Sequence, residues 1–385
     1  MGHTHRVLVV GNHCHDVLLK NDVVIAESLG GAVSFISNIL PNLSINADFI
    51  SKVGPNFLYS PLNPPLVVPT SSTTVFHAHF STSSSSSLGQ NPLPDRTLKR
   101  VSACDPIRPH DLPNPDPGGK YRFGMAVGVG GEILPETLRK MVRVCDVVFV
   151  DVQGLIRKFD ENDGTVTLTK LCKTDFIDII PEIGVLKASA EEAEFIDVEE
   201  VRKVCCVVVT YGENGCRVFW KDGEVKIAPF STIQVDPTGA GDSLLGGFVG
   251  GLVHGLAVPD AALLGNFFGS LTVVQIGLPK FDPKLLKRVK DEVQKRSLQC
   301  AKHRVGNKDE LWFSKPPGHD EFHAVLDSTR QAYTPSPQEV EHDQPYSHDQ
   351  VTRPINACIN NLCNGKTVLH DSVYDGPIQS VERMP

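Results

Sequence analysis

The stretch VDPTGAGDSLLGGFVGGL, Val235 to Leu252, places six glycines and two aspartates in one short segment. Glycine in a helix interior costs about 1 kcal/mol relative to alanine, so a helix this rich in glycine needs a physical reason. A short β-type run, FSTIQ, precedes the segment, and the residues after the first glycines are apolar. The pattern predicts a tight turn that opens a helix, with backbone lying close to a ligand or to a neighbouring helix.

The N-terminus of such a helix attracts anions, because its first N–H groups have no partner within the helix and carry a partial positive charge. Asp242 follows the turn directly. A carboxylate beside a bound polyphosphate is unfavourable unless it takes part in the chemistry, and one suitable role is to accept the proton of a hydroxyl that attacks a phosphoryl group. The segment predicts Asp242 as a general base, with the amides of Gly239, Ala240 and Gly241 stabilising the transferred group.

Two other phosphate-binding patterns do not fit the chain. No G-x4-G-K-[ST] pattern occurs. The segment GVGGEI, Gly128 to Ile133, begins like a dinucleotide fingerprint but lacks its last glycine. The sequence therefore disfavours both a P-loop nucleotidase and a Rossmann dehydrogenase.

Composition excludes several classes of partner. The chain has 385 residues, 41% of them hydrophobic and 21% charged, and a net charge of -8, so it has no basic excess. We expect a small-molecule substrate, neither nucleic acid nor a membrane as partner, and a monomer or homodimer. The N-terminal residues show neither a secretory signal nor a transit peptide, and no apolar run approaches the length of about 20 residues that spans a membrane, which favours a cytoplasmic protein.

Neither the cysteines nor the histidines form a clear metal motif. The ten cysteines include no C-x2-C pair and lie mostly in apolar runs such as KVCCVVV, so we expect buried free thiols. His3, His5, His13 and His15 alternate along the chain, which places each pair on one face of an extended segment. They could together bind a metal, but surface or turn histidines are the favoured interpretation.

Apolar β-branched runs alternate with amphipathic stretches. The runs with the continuous hydrophobicity of strands covered on both faces are RVLVVGN, DVVFVDVQG, IGVLKAS and VCCVVVTYG. Helices are predicted for Leu134 to Cys145, for Ser189 to Val204 and from Asp242 onward. Ser189 and Glu192 have the spacing of a capping box. The alternation predicts an α/β fold, a doubly wound and mostly parallel sheet flanked by helices.

Two regions interrupt this alternation. Residues from about 59 to 119 are rich in proline and serine, as in STSSSSSLGQNPLPD, and we interpret them as an irregular insertion that closes over a site as a lid. Residues 300–385 are polar and show no sustained periodicity, which predicts a disordered tail.

The segment DPTGAGDSLLGGFV resembles the C-terminal signature of the PfkB-type carbohydrate kinases of the ribokinase superfamily. The resemblance extends over residues 6–298 and includes the plant kinases of this family that phosphorylate myo-inositol. It implies a ribokinase-like fold with a small lid, and ATP- and Mg²⁺-dependent phosphorylation of a small polyol, with myo-inositol as the favoured substrate. The alternatives are a fructokinase or nucleoside kinase of the same fold, and a catalytically silent PfkB-like scaffold or sensor.

The resemblance also implies site residues by position. On the substrate side it implies Asp16 in VVGNHCHDVLL and the Gly30–Gly31 turn in SLGGAVSF. VLKASAEEAEFI is similar to the family's N-x-x-E region, so Glu192 would hold Mg²⁺ through water and Ser189, in place of the asparagine, would face the nucleotide. VVVTYGENGCRVF and LLGNFFGSL are similar to nucleotide-side segments, and the ATP contacts implied there are Thr210, Gly212, Gly215 and Asn266.

The chain departs from the family pattern beside the substrate. The first family signature has an asparagine shortly after Gly-Gly, where this chain has Ser34 and Phe35. That change and the serine at position 189 argue against ordinary ribokinase or fructokinase specificity.

Overall fold

The computed structural model describes residues 7–81, 95–114, 120–303 and 312–333. Numbered in chain order, the strands of these residues are β1 Val7–Val10, β2 Cys14–Lys20, β3 Val23–Gly30, β4 Ala47–Ile50, β5 Lys52–Val53, β6 Leu66–Val67, β7 Thr74–Ser81, β8 Asp95–Ser102, β9 Tyr121–Ala126, β10 Cys145–Asp151, β11 Arg157–Phe159, β12 Val166–Leu168, β13 Val185–Ser189, β14 Cys206–Thr210, β15 Cys216–Trp220 and β16 Gly223–Ile227. The α-helices are α1 Ala32–Ile39, α2 Pro135–Val144, α3 Gln153–Ile156, α4 Ala190–Ala193, α5 Val198–Val201, α6 Ala240–Val253, α7 Val258–Thr272, α8 Pro283–His303 and α9 His319–Tyr333.

A central sheet of eight strands has the order β16-β15-β14-β13-β10-β9-β1-β4. Neighbouring strands are parallel from β4 to β14. Strand β15 is antiparallel to both of its neighbours, β14 and β16. The four strands predicted from apolar runs lie here as β1, β10, β13 and β14, which confirms the mostly parallel sheet. Strands β4 and β9 of this sheet were not predicted from the sequence.

Both faces of the central sheet are buried. In β1, Val7 and Val9 belong to one hydrophobic core, whereas Leu8 and Val10 belong to a second core on the opposite face. This division follows from the alternation of side chains along a strand. The first core includes residues of α1, α6, α7, α8 and α9, and the second includes residues of α2. Helices on both faces confirm the doubly wound architecture.

The glycines after the first turn of α6 allow close packing against α7. A Cβ atom on Gly247 would lie 2.9 Å from the carbonyl oxygen of Leu264, and one on Gly251 would lie 2.8 Å from Cα of Ala261. Every residue of α7 is buried. Helix packing therefore accounts for the later glycines of the segment.

A second, smaller sheet has the strand order β3-β2-β7-β8. The insertion predicted between residues 59 and 119 contributes β7 and β8, so much of its described part is regular rather than irregular. The other two strands come from residues 14–30, which the sequence did not assign to a lid. The serine run lies mostly outside the described residues.

The predicted helix from Ser189 to Val204 is two short helices, α4 and α5, and the prediction of one helix was wrong. Between them the side chain of Asp197 accepts a hydrogen bond from the N–H of Glu200 and caps α5. An aspartate that bonds to nearby backbone favours a new helix start over continuation of the previous helix.

Residues 312–333 correct the prediction of a disordered tail from residue 300. Helix α8 continues to His303, and α9 follows with Phe322 and Leu326 buried in the first core. Asp260 of α7 accepts hydrogen bonds from Arg296 and His319, at 2.7 and 2.6 Å, and so ties α8 and the start of α9 to α7. The apolar face of α9 has only a few residues and polar residues flank it, so the helix was not predicted from the sequence. The rest of the predicted tail, residues 334–385, lies outside the described part.

Replacing Leu326 with alanine should destabilise the protein by about 2–5 kcal/mol, the usual cost of a cavity in a packed core. Leu326 is fully buried. The free energy of unfolding from denaturant titration measures the effect. Ser328→Ala is the matched control, because Ser328 is exposed on the same helix and its change should stay within about 0.5 kcal/mol. Equal stability of the two variants would contradict the packed position of α9.

The described cysteines carry no disulfide, and Cys172 alone among them is exposed, which confirms the expectation of buried free thiols. Within the described ranges, no helix combines the length and the apolar character needed to cross a membrane.

Candidate active site

The turn before α6 has a conformation that requires glycine. Gly239 caps the helix with φ of 77° and ψ of -1°, in the left-handed region. A Cβ atom there would lie 2.0 Å from Cε1 of Phe35. The turn is fixed further by Asp236, whose carboxylate accepts the N–H of Thr238 at 2.9 Å. Phe35 therefore brings the start of α1 against the start of α6.

Most N–H groups of this turn are available to an anion. The N–H groups of Gly239, Gly241 and Asp242 have no acceptor in the part of the chain that the structure describes. The N–H of Ala240 donates to the carbonyl oxygen of Pro237 at 3.2 Å, so this predicted donor is already paired. A helix N-terminus with several free amides is a suitable phosphate site.

Asp242 lies in the first turn of α6, with Nε2 of Gln153 3.4 Å from its Oδ1. Removal from water and the nearby carboxylate of Asp151 raise the pKa of Asp242 to about 7, although Lys187 and Arg157 act in the opposite direction. A carboxylate with a pKa near neutrality is a stronger proton acceptor than an ordinary aspartate. The structure thus places a basic carboxylate beside free helix amides.

A buried ion pair lies under this turn. Nζ of Lys187 is 3.0 Å from Oδ2 of Asp151, and the two residues are register partners on the adjacent strands β13 and β10. Burial lowers the pKa of Lys187, but the carboxylates of Asp151, Glu192 and Asp242 raise it by more, so the net shift is upward. Lys187 therefore remains an ammonium at neutral pH.

The predicted substrate-side residues lie together. A Cβ atom on Gly30 would lie 2.0 Å from Oδ2 of Asp16, so the glycine lets this carboxylate rest against the backbone of β3. Gly31 has φ of 84° and caps α1, and a Cβ atom there would meet the carbonyl oxygen of Asn12 at 2.4 Å. The Gly30–Gly31 turn therefore connects the strand backbone beside Asp16 to the start of α1, the helix that contains Phe35.

The departure from the family pattern at Ser34 has a structural partner. The hydroxyl of Ser34 lies 2.6 Å from Nδ1 of His13 and 2.5 Å from the carbonyl oxygen of Gly30, so it links a buried ring to the glycine turn. Burial lowers the pKa of His13 to about 4. Of the predicted surface or turn histidines, His13 lies in the connection between β1 and β2 but is buried, while His15 is half-buried beside the hydroxyl of Tyr59. His3 and His5 lie outside the described residues.

Ser189 and Thr210 are register partners at the ends of the parallel strands β13 and β14. The predicted capping box is present, because the Ser189 hydroxyl accepts the N–H of Glu192 and Oε2 of Glu192 accepts the N–H of Ser189 at 2.8 Å. Oε1 of Glu192 has no partner among the described residues, which leaves one carboxylate oxygen for a hydrated cation.

Two of the predicted ATP contacts serve the protein's own packing. Asn266 is buried and donates to the carbonyl oxygen of Ala228 at 2.8 Å. A Cβ atom on Gly215 would lie 2.3 Å from the carbonyl oxygen of Ile227, so this glycine lets the β14–β15 turn pack onto the end of β16. Gly212 is exposed and has open space around its Cα. Of these three residues, only Gly212 has open space beside it that a ligand can enter.

Comparison with known proteins decides the family. Residues 155–284 match the model of the pfkB family of carbohydrate kinases. Inositol 3-kinase of Arabidopsis thaliana is 55% identical over 327 residues, which are 84% of this chain and 87% of that protein. The chain belongs to the pfkB family of carbohydrate kinases. Inositol 3-kinase of Oryza sativa subsp. japonica is 47% identical over 83% of this chain and 80% of that protein.

A solved structure shares the fold of this pfkB-family chain. It is a pyrophosphate-dependent kinase of the ribokinase family, complexed with a pyrophosphate analogue and myo-inositol, with a TM-score of 0.55 and 18% identity. It covers 71% of this chain, and the match spans 97% of the solved chain. The similarity confirms the ribokinase-like fold expected from the glycine-rich segment.

Several residues of the candidate site were not identified from the sequence. Asp151 ends β10 and Gln153 begins α3 two residues later, and Lys187 lies between apolar residues in β13. A lysine in a buried strand was the available signal, because lysine is almost never buried without a partner. The sequence indicated His13 only as one of four alternating histidines and Phe35 only as a departure from the family pattern, so their contacts with Ser34 and Gly239 were not predicted.

Proposed function

We propose that this protein transfers the terminal phosphoryl group of ATP to a hydroxyl of myo-inositol. The observation that carries the proposal is Asp242, a carboxylate with a pKa near 7 beside the free amides at the start of α6. The inositol 3-kinases that share about half of their residues with this chain support the choice of a cyclitol over other sugars. The carboxylate of Asp16, beside Gly30, can accept hydrogen bonds from two neighbouring hydroxyls.

The reaction follows from these positions. As the substrate hydroxyl oxygen attacks the terminal phosphorus, its proton passes to the carboxylate of Asp242. The new P–O bond forms while the bond to the bridging oxygen breaks, and ADP leaves with that electron pair. The N–H groups of Gly239 and Gly241 stabilise the charge on the transferred group. Positioning and electrostatics therefore supply most of the rate enhancement.

Mg²⁺ and ATP fit the residues that are present. The free Oε1 of Glu192 can hold a hydrated Mg²⁺, an ion that prefers oxygen ligands and keeps several waters. When bound, the ion would neutralise charge on the phosphates of the nucleotide. Thr210 and Gly212, at the end of β14 and after it, are the residues we assign to the nucleotide side.

The activity should depend on pH through Asp242. The carboxylate form is required, so kcat/KM should fall as pH decreases through about 7 and level off above it. The profile of kcat/KM, measured at constant ionic strength, reports the free enzyme. The groups around Asp242 that set this value are Asp151, Lys187, Arg157 and Glu192. A flat profile through neutral and mildly acidic pH would contradict the role of Asp242.

The decisive experiment measures product formation from myo-inositol, fructose, ribose and adenosine in parallel, with Mg²⁺ and either ATP or pyrophosphate. Asp242→Asn is the blank. Selective turnover of myo-inositol with ATP supports the proposal. Turnover of another acceptor, or turnover with pyrophosphate alone, would replace the substrate or the donor but keep the reaction class. Binding of ATP without turnover of any acceptor would favour the scaffold or sensor.

A further inference from the structure

Lys187 presents an incompletely paired ammonium inside the protein. The residue is 5% exposed, and its Nζ donates to Asp151 at 3.0 Å. An ammonium has three N–H donors, and the other two have no acceptor among the residues that the structure describes. A buried charge with unused donors is costly, so its retention indicates a ligand.

The ammonium faces the start of α6. A Cβ atom on Gly241 would lie 2.7 Å from Nζ of Lys187, which places the charge directly against the first helical turn. The free N–H groups of Gly241 and Asp242 belong to this same turn. An anion that binds these amides therefore comes within reach of Lys187.

The surrounding charges make this cation necessary. The carboxylates of Asp151, Glu192 and Asp242 all act on Lys187, and Arg157 is the further cation that acts on Asp242. Arg157 donates to the carbonyl oxygen of Val129 at 3.1 Å, so part of its guanidinium is already bound. A phosphate entering among three carboxylates needs a nearby cation with free donors, and Lys187 is the buried residue that supplies one.

We propose that Lys187 contacts the transferred phosphoryl group directly, and that Asp151 is the positioning residue that holds its ammonium under α6. The inference rests on the proposed phosphoryl transfer. Lys187 would donate to an oxygen of the terminal phosphate of the donor and keep that contact as the group moves to the acceptor hydroxyl. No bond to Lys187 forms or breaks, and its proton stays on Nζ.

Lys187→Met should lower kcat by about 10²- to 10³-fold, the usual cost of removing one donor to a developing anion. It should also weaken ATP binding more than ADP binding, because only ATP carries the terminal phosphate. Turnover and calorimetric titration with each nucleotide measure both effects. Lys203→Met is the matched control, since Lys203 lies in an exposed ion pair with Glu200 and should behave as wild type.

The double variant Asp151→Asn/Lys187→Met separates contact from structure. It removes both members of the buried pair, so neither residue of the pair is left as a buried charge without its partner, and the fold should be retained. We expect its turnover to remain as low as that of Lys187→Met. Recovery of turnover to within a few-fold of wild type would show that the pair serves the fold alone and would overturn the proposal.

The two proposals fail in different ways. If wild type phosphorylates a polyol while Lys187→Met keeps its turnover and its ratio of ATP to ADP affinity, the contact of Lys187 is wrong and the kinase function stands. In the opposite case, wild type phosphorylates no acceptor but binds ATP more tightly than ADP, and Lys187→Met or the double variant loses this preference. The contact between Lys187 and the terminal phosphate then stands, and the proposed function fails.

Discussion

Asp242→Asn should lower kcat for phosphoryl transfer by about 10²- to 10⁴-fold, the range expected for removal of a general base. Asparagine has nearly the same shape but cannot accept the proton of the attacking hydroxyl. ATP affinity should change little, because the amides of Gly239 and Gly241 come from the backbone. Steady-state turnover with myo-inositol and calorimetric titration with ATP measure the two quantities.

The stability of this variant distinguishes lost chemistry from lost folding. The raised pKa of Asp242 means that the surrounding protein disfavours its charged form. Asparagine removes that unfavourable charge, so the unfolding midpoint at neutral pH should stay the same or rise. Asp222→Asn, in the exposed turn between β15 and β16, is the isosteric control and should keep full turnover. Near-normal activity of Asp242→Asn would rule out the general base.

Gly239→Ala should damage both stability and activity. The left-handed backbone costs a residue with Cβ about 1–2 kcal/mol, and the collision with Phe35 adds about 1–3 kcal/mol. The side chain of Phe35 is buried in the core and has little freedom to move. A shift of the turn would also displace the amides and Asp242, so kcat/KM should fall by about 10²-fold or more. Denaturant titration and steady-state kinetics measure the two effects.

Gly255→Ala is the matched control at the other end of α6. Gly255 also has a positive φ, 82°, but a Cβ atom there would make an ordinary contact of 3.5 Å with Ser297. The Gly255→Ala variant should lose only the stability that a left-handed backbone costs a residue with Cβ, and it should keep its activity. The double variant Phe35→Leu/Gly239→Ala should recover part of the lost stability, because leucine leaves room for the added Cβ. If Gly239→Ala behaves like Gly255→Ala, the contact between Phe35 and the turn is not as described.

The C-terminal segment shows where sequence patterns fail. In α9 the apolar residues Phe322, Val325, Leu326 and Tyr333 recur at helical spacing, but this stripe is short and polar residues flank it, so the segment was interpreted as part of a solvated tail. The helix is held by packing against α7 and α8 and by the carboxylate of Asp260. Propensity is a weak predictor when most of a helix's stability comes from tertiary contacts. The separation of one predicted helix into α4 and α5 has a local cause instead, the cap that Asp197 provides at the start of α5.

The amino-acid sequence alone predicted four of the parallel strands, the glycine turn and the position of Asp242 in the first turn of a helix. These features are local, because strand hydrophobicity and the need for glycine at a tight turn are written in neighbouring residues. Which distant residues meet that turn depends on how the whole chain folds. Asp151 pairs with Lys187 because β10 and β13 are adjacent and in register, and Phe35 fixes Gly239 because α1 packs against α6. Strand order, register and helix packing depend on the whole core, so no short segment specifies them.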